Sequence, residues 1–67
     1  MKLILNNREE VIEGDCLTFA ELIKVKKFTF KMLVTKLNGQ LVKKNDRETT
    51  VVKNGDTVVV LHMVSGG

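Results

Sequence analysis

Few side chains in this 67-residue chain suit covalent or metal chemistry. The one thiol, Cys16, has no sequence context that identifies a base, and a single cysteine cannot form an internal disulfide. The one imidazole, His62, has no metal-ligand spacing around it, and together with Cys16 it falls short of a four-ligand zinc site. Both therefore read as structural residues. Glu9, Glu10 and Glu13 read as solvent-facing charges beside a turn. No glycine-rich loop precedes a helix, so no phosphate cradle is expected. That leaves Ser65-Gly66-Gly67. A Gly-Gly end is either a frayed tail or a functional thread, because glycines fit a narrow channel and adopt backbone angles closed to other residues. Three extended residues reach about 10 Å, enough to hold a terminal carboxylate inside a partner's active site. That carboxylate is ionised at neutral pH and is a poor electrophile. A nucleophile can take its carbon only after activation, for instance as an acyl-adenylate.

A tail of this kind needs a folded domain behind it. A chain this short makes one domain at most and buries about 60% of its unfolded surface. The 43% apolar and 28% charged composition is that of a globular fold. Lys2–Asn6 alternates with Leu3 and Leu5 on one face, as a strand does. Asn6-Asn7-Arg8 can turn it back through Glu9–Glu13. Thr18 followed by Glu21 is a capping box, which predicts an amphipathic helix over Phe19, Leu22 and Ile23 that ends near Val25 or Lys27. Met32–Leu37 and Gln40–Val42 flank Asn38-Gly39, a strong hairpin signal. Lys43–Glu48 reads as a polar loop and Asn54-Gly55-Asp56 as a second tight turn. Thr57–Val64, rich in valine, reads as a central strand. The elements predict an α+β domain with one helix covering one face of a sheet. If Leu3, Leu5, Val58 and Val60 point toward the helix, then Ile4, Val59, Leu61 and Met63 form an outer apolar patch suited to a partner.

The net charge is +3, but it is unevenly spread. Seven lysines and no acidic residue lie between Leu22 and Asn45, so the flanks together carry −4. Such a stretch is either a solvated face or a stripe for nucleic acid or an acidic protein surface. With three phenylalanines and no Trp or Tyr, the chain offers little for base stacking. No apolar run approaches the roughly 20 residues of a membrane span. Met1–Asn6 is too short for a signal peptide. A soluble, cytoplasmic protein is expected.

The opening Lys2-Leu3-Ile4-Leu5-Asn6, the helix start Thr18-Phe19-Ala20-Glu21-Leu22, the hairpin Leu37-Asn38-Gly39-Gln40-Leu41-Val42, the turn Asn54-Gly55-Asp56 and the final Gly66-Gly67 occur in a telling order. In that order the chain resembles the ubiquitin-like sulfur carriers, most closely the ThiS family of thiamine biosynthesis, over essentially its whole length. The resemblance implies a single β-grasp domain over residues 1–67, with a five-stranded mixed sheet, one helix on one face and a flexible tail at 65–67. It further implies that Gly67 is adenylated by a ThiF-like activating enzyme that uses ATP and magnesium. Sulfur from a persulfide donor then displaces the adenylate. The resulting thiocarboxylate donates sulfur to a ThiG-like thiazole synthase, while Ser65 and Gly66 thread the partner's active site. The carrier itself would be no enzyme and would bind no cofactor or metal.

Family members often carry Pro-Arg and an aromatic after the hairpin valine, where this chain has Lys43-Lys44 and Arg47. The small subunit of molybdopterin synthase resembles the same fold and ends in the same glycines, but it is generally longer; another β-grasp carrier, serving a different sulfur-containing metabolite, is a further alternative. A reading of another class, a small basic nucleic-acid-binding module using the Leu22–Asn45 lysines, leaves the terminal glycines unexplained.

Overall fold

The computed structural model describes residues 1–28 and 32–62. Strand β1 (Lys2–Leu5) and strand β2 (Arg8–Val11) form a hairpin in which Leu5 pairs with Arg8. Asn6 and Asn7 make the turn at φ 51° and 68°. Two successive positive φ values match the right-handed strand twist, and asparagine tolerates them better than most residues. Strand β3 (Cys16–Thr18) leads directly into helix α1 (Phe19–Val25). The expected capping box is present: the Glu21 N–H donates to the Thr18 hydroxyl oxygen at 3.1 Å, and the Thr18 N–H donates to Glu21 Oε1 at 2.9 Å.

The helix ends one turn later without a glycine. Lys27 sits at φ +57°. Its N–H donates to the Lys24 carbonyl at 3.1 Å, and the Phe28 N–H reaches the Ile23 carbonyl at 3.0 Å. These are the two bonds of a Schellman cap, with a lysine in the left-handed position.

Strands β4 (Leu33–Leu37) and β5 (Gln40–Val42) are joined through Asn38 and Gly39, at φ 51° and 84°. A short 3-10 helix (Lys44–Asp46) follows, then β6 (Val51–Lys53) and β7 (Thr57–His62). The main sheet runs β2-β1-β7-β4-β5. β1 and β7 are parallel and the other neighbours antiparallel, so the sheet is mixed. Leu3, Leu5, Val58 and Val60 are buried with Phe19 and Leu22 of the helix, joined by Ile12, Val42 and Val52. One helix lies across one face of a five-stranded mixed sheet, the ubiquitin-like β-grasp arrangement.

Three features depart from the sequence expectation. β3 pairs with β6 in a separate two-stranded sheet, Leu17 opposite Val52. Segments of three residues are too short to show a period, so neither reads as a strand beforehand. The 43–48 segment is anchored, because Arg47 reaches under the sheet: its Nε donates to Thr35 Oγ1 at 3.1 Å and its Nη2 to the Leu33 carbonyl at 2.9 Å. Thr35, fully buried, donates in turn to the Val42 carbonyl at 2.6 Å. Finally, Glu10 is half-buried and pairs with Lys26 at 2.9 Å, tying the helix end to β2. It is therefore no simple solvent-facing charge.

Candidate functional site

Strand β7 lies at the centre of the sheet and runs into the residues that end the sequence. Its side chains alternate. Val58 and Val60 enter the core, while Val59 is half-buried and Leu61 is 51% exposed on the opposite face. Register fixes the neighbours on that outer face. Val34 of β4 stands opposite Leu61, and Lys36 stands opposite both Val59 of β7 and Leu41 of β5. Ile4 of β1 adds a half-buried residue beside Thr57, and Leu41 is 62% exposed. The outer face is thus an apolar surface across β1, β7, β4 and β5, with Lys36 within it and the Lys2–Glu9 pair at its β2 side.

Ile4, Val59 and Leu61 lie together on this surface. Met63, Ser65, Gly66 and Gly67 lie outside the described residues. Val34 and Leu41 belong to the same surface and were not singled out from the sequence. The signal for them was present: with Asn38-Gly39 as a two-residue turn, Lys36 must face Leu41, and alternation then puts Val34 on the same side.

Two devices hold this face in shape. Asn6 bonds β7 with its side chain: Oδ1 accepts from the Val60 N–H at 2.9 Å, and Nδ2 donates to the Val60 carbonyl at 3.1 Å. At the other end of β7, the Thr57 N–H donates to Asn38 Oδ1 at 2.8 Å, and the Asn38 N–H donates to the Thr57 carbonyl at 2.7 Å. Both turns that border the central strand are therefore pinned to it.

Cys16 is an exposed free thiol on β3, on the separate small sheet. His62 is exposed at the end of β7. Among the described residues no group of three or more His, Cys, Asp or Glu side chains could hold a metal ion. Among them, too, no helix is long and apolar enough to cross a membrane. The described lysines of the Leu22–Asn45 stretch are spread over several elements. Lys26 is committed to Glu10 beside β2, at one edge of the sheet, while Lys43 and Lys44 follow β5 at the opposite edge.

Comparison with known proteins agrees with the fold. The sequence model of the ThiS family matches residues 2–67. A crystal structure of a thiamine biosynthesis protein (ThiS) from Geobacter metallireducens is 29% identical and superposes with a TM-score of 0.89, covering 100% of both chains. An NMR solution structure of a thiamine biosynthesis protein from the same organism is 29% identical, with a TM-score of 0.82 over 100% of this chain and 88% of that one. No curated protein sequence matches the chain.

Proposed function

The chain belongs to the ThiS family, and on that premise we propose that it is a sulfur carrier whose Gly67 carboxylate is adenylated and converted to a thiocarboxylate for thiamine thiazole synthesis. The observation that carries this reading is the extent of the family match, which runs from residue 2 through Gly67 and so takes in both final glycines. The composition of the outer face supports it as well. A carrier must dock on the enzymes that act on its tail, and an apolar face on the strand leading into that tail serves this purpose.

The chemistry divides between carrier and partner. Gly67 supplies the carboxylate. A ThiF-like activating enzyme supplies ATP and magnesium, and attack by a carboxylate oxygen on the α-phosphorus expels pyrophosphate. The acyl-adenylate then has a good leaving group: the outer sulfur of a persulfide attacks the acyl carbon and displaces AMP, and a second thiol reduces the resulting acyl disulfide, leaving the thiocarboxylate on Gly67 and a disulfide on the donor. The carrier contributes reach and fit: Ser65 and Gly66 pass through the narrow approach, and Ile4, Val59, Leu61 and Met63 meet the partner's surface. A ThiG-like thiazole synthase is the proposed sulfur acceptor.

The test of pathway is transfer. Thiocarboxylated carrier mixed with thiazole synthase and the synthase's other substrates should lose its sulfur to the thiazole product. Transfer instead to the large subunit of molybdopterin synthase, with none to thiazole synthase, would refute the thiamine assignment.

A further inference from the structure

Lys36 occupies an unusual place for a lysine. It lies in the outer face of the sheet, with Val59 on one side, Leu41 on the other and Val34 two residues along its own strand. Its aliphatic stem can cover apolar neighbours while its ammonium stays in water. Among the described residues the ion pairs are Lys2 with Glu9 at 3.7 Å and Lys26 with Glu10 at 2.9 Å, and Lys36 takes part in neither. Glu9, the acidic residue on the same face, stands opposite Ile4 on β2. It is three strand positions from β4, about 14 Å at the usual strand spacing, and beyond effective reach at physiological salt. The Lys2–Glu9 pair cancels itself, so among the described residues Lys36 sets the net charge of this face.

We propose that the partner surface covering this face is apolar and places a carboxylate against Lys36. The proposal rests on the reading that the face docks the ATP-dependent activating enzyme. When such a partner lands, water leaves the ammonium. An uncompensated buried charge opposes docking, whereas a partner aspartate or glutamate turns the same lysine into a source of register and specificity. One isolated cation among valines and leucines suits a single carboxylate on a protein and not a run of phosphates. Lys36 is therefore a specificity-determining residue: it admits an apolar surface bearing an acid and disfavours an equally apolar surface without one.

The experiment measures the affinity of the intact carrier for the activating enzyme of its own organism, by calorimetry. It uses wild type, Lys36→Met, Lys36→Glu and Leu61→Asp, each first shown by thermal melting to be folded. Lys36→Glu should raise Kd by about tenfold or more, and further than Lys36→Met does. Raising salt from about 50 to about 300 mM should weaken wild type and leave Lys36→Met nearly unaffected. One Asp→Lys or Glu→Lys change on the partner should restore binding to Lys36→Glu. If Leu61→Asp loses affinity but Lys36→Met and Lys36→Glu bind equally well, the carboxylate is refuted while the docking face stands. If Leu61→Asp binds as wild type does, the docking face falls, and this proposal with it.

Discussion

Asn6 extends the β1–β7 ladder by one residue with its side chain, beyond the last bond made by its backbone. β1 ends at Leu5 and the chain turns away, yet the Asn6 amide receives the Val60 N–H at 2.9 Å and donates to the Val60 carbonyl at 3.1 Å. The Asn6 N–H also bonds the Val58 carbonyl at 2.9 Å. One residue thus holds two successive inward positions of β7, just before the strand meets the tail.

This arrangement predicts separable costs at position 6. Asn6→Ala loses both side-chain bonds and places a Cβ-bearing residue without local hydrogen bonding at φ +51°, for a combined loss of about 2–3 kcal/mol. Asn6→Gly loses only the bonds, and its loss should be smaller by about 1 kcal/mol. Urea unfolding of the two variants measures the difference. Equal stabilities would mean that the turn conformation carries no strain.

Lys27 offers the opposite opportunity. It caps the helix at φ +57°, a conformation that glycine adopts freely. Lys27→Gly should therefore raise stability by about 0.5–1 kcal/mol. A lower melting temperature would show that the lysine makes a compensating contact.

The helix start should be sensitive to acid. Hydrogen bonds from the Thr18 N–H and hydroxyl hold the Glu21 carboxyl below its ordinary value, with Lys24 adding a smaller attraction in the same direction. A carboxyl depressed in the folded state stabilises the fold above its unfolded pKa, and that contribution disappears as pH falls through the folded value. Glu21→Gln keeps an acceptor but cannot titrate. The stability difference between wild type and Glu21→Gln should shrink as pH is lowered from about 7 to about 3. A constant difference would sever the cap from the acid response.

The two faces of β7 should respond differently to charge. Val60 is 5% exposed and Leu61 is 51% exposed. Val60→Asp places a carboxylate in the core and should unfold the domain. Leu61→Asp should stay folded, with a loss of about 1 kcal/mol or less. Circular dichroism melts of the isolated variants decide between this assignment and its inverse.

Much of this fold was legible in side-chain periodicity and turn chemistry. Leu3 and Leu5, Thr18 and Glu21, and Asn38-Gly39 each announce their element within a few residues, because the forces that fix them are local. What escaped depends on contacts distant in sequence. The β3–β6 pair joins two three-residue segments, and Arg47 finds Thr35 and Leu33 only once the sheet exists. Lys27 breaks the glycine rule for helix ends, so its cap gave no signal. The Glu10–Lys26 pair likewise needs the helix laid against β2. On the outer face, Ile4, Val59 and Leu61 follow from alternation alone. Val34, Lys36 and Leu41 need the hairpin register as well. The role proposed for Gly67 comes from family resemblance joined to the chemistry of a terminal carboxylate, not from any pattern of periodicity.

The most direct test weighs the intact protein. Incubated with its activating enzyme, ATP, magnesium, a persulfide source and a thiol reductant, the carrier should gain about 16 Da as sulfur replaces one carboxylate oxygen through an adenylate. Fragmentation should place the sulfur on Gly67. Cys16→Ser should keep the full gain. Deleting Gly67 should abolish it, because the carboxylate is then retracted by about 3.5 Å and even a 1 Å misplacement can cost about two orders of magnitude in rate. Sulfur found on Cys16, or on a chain shortened to Gly66, would contradict the account.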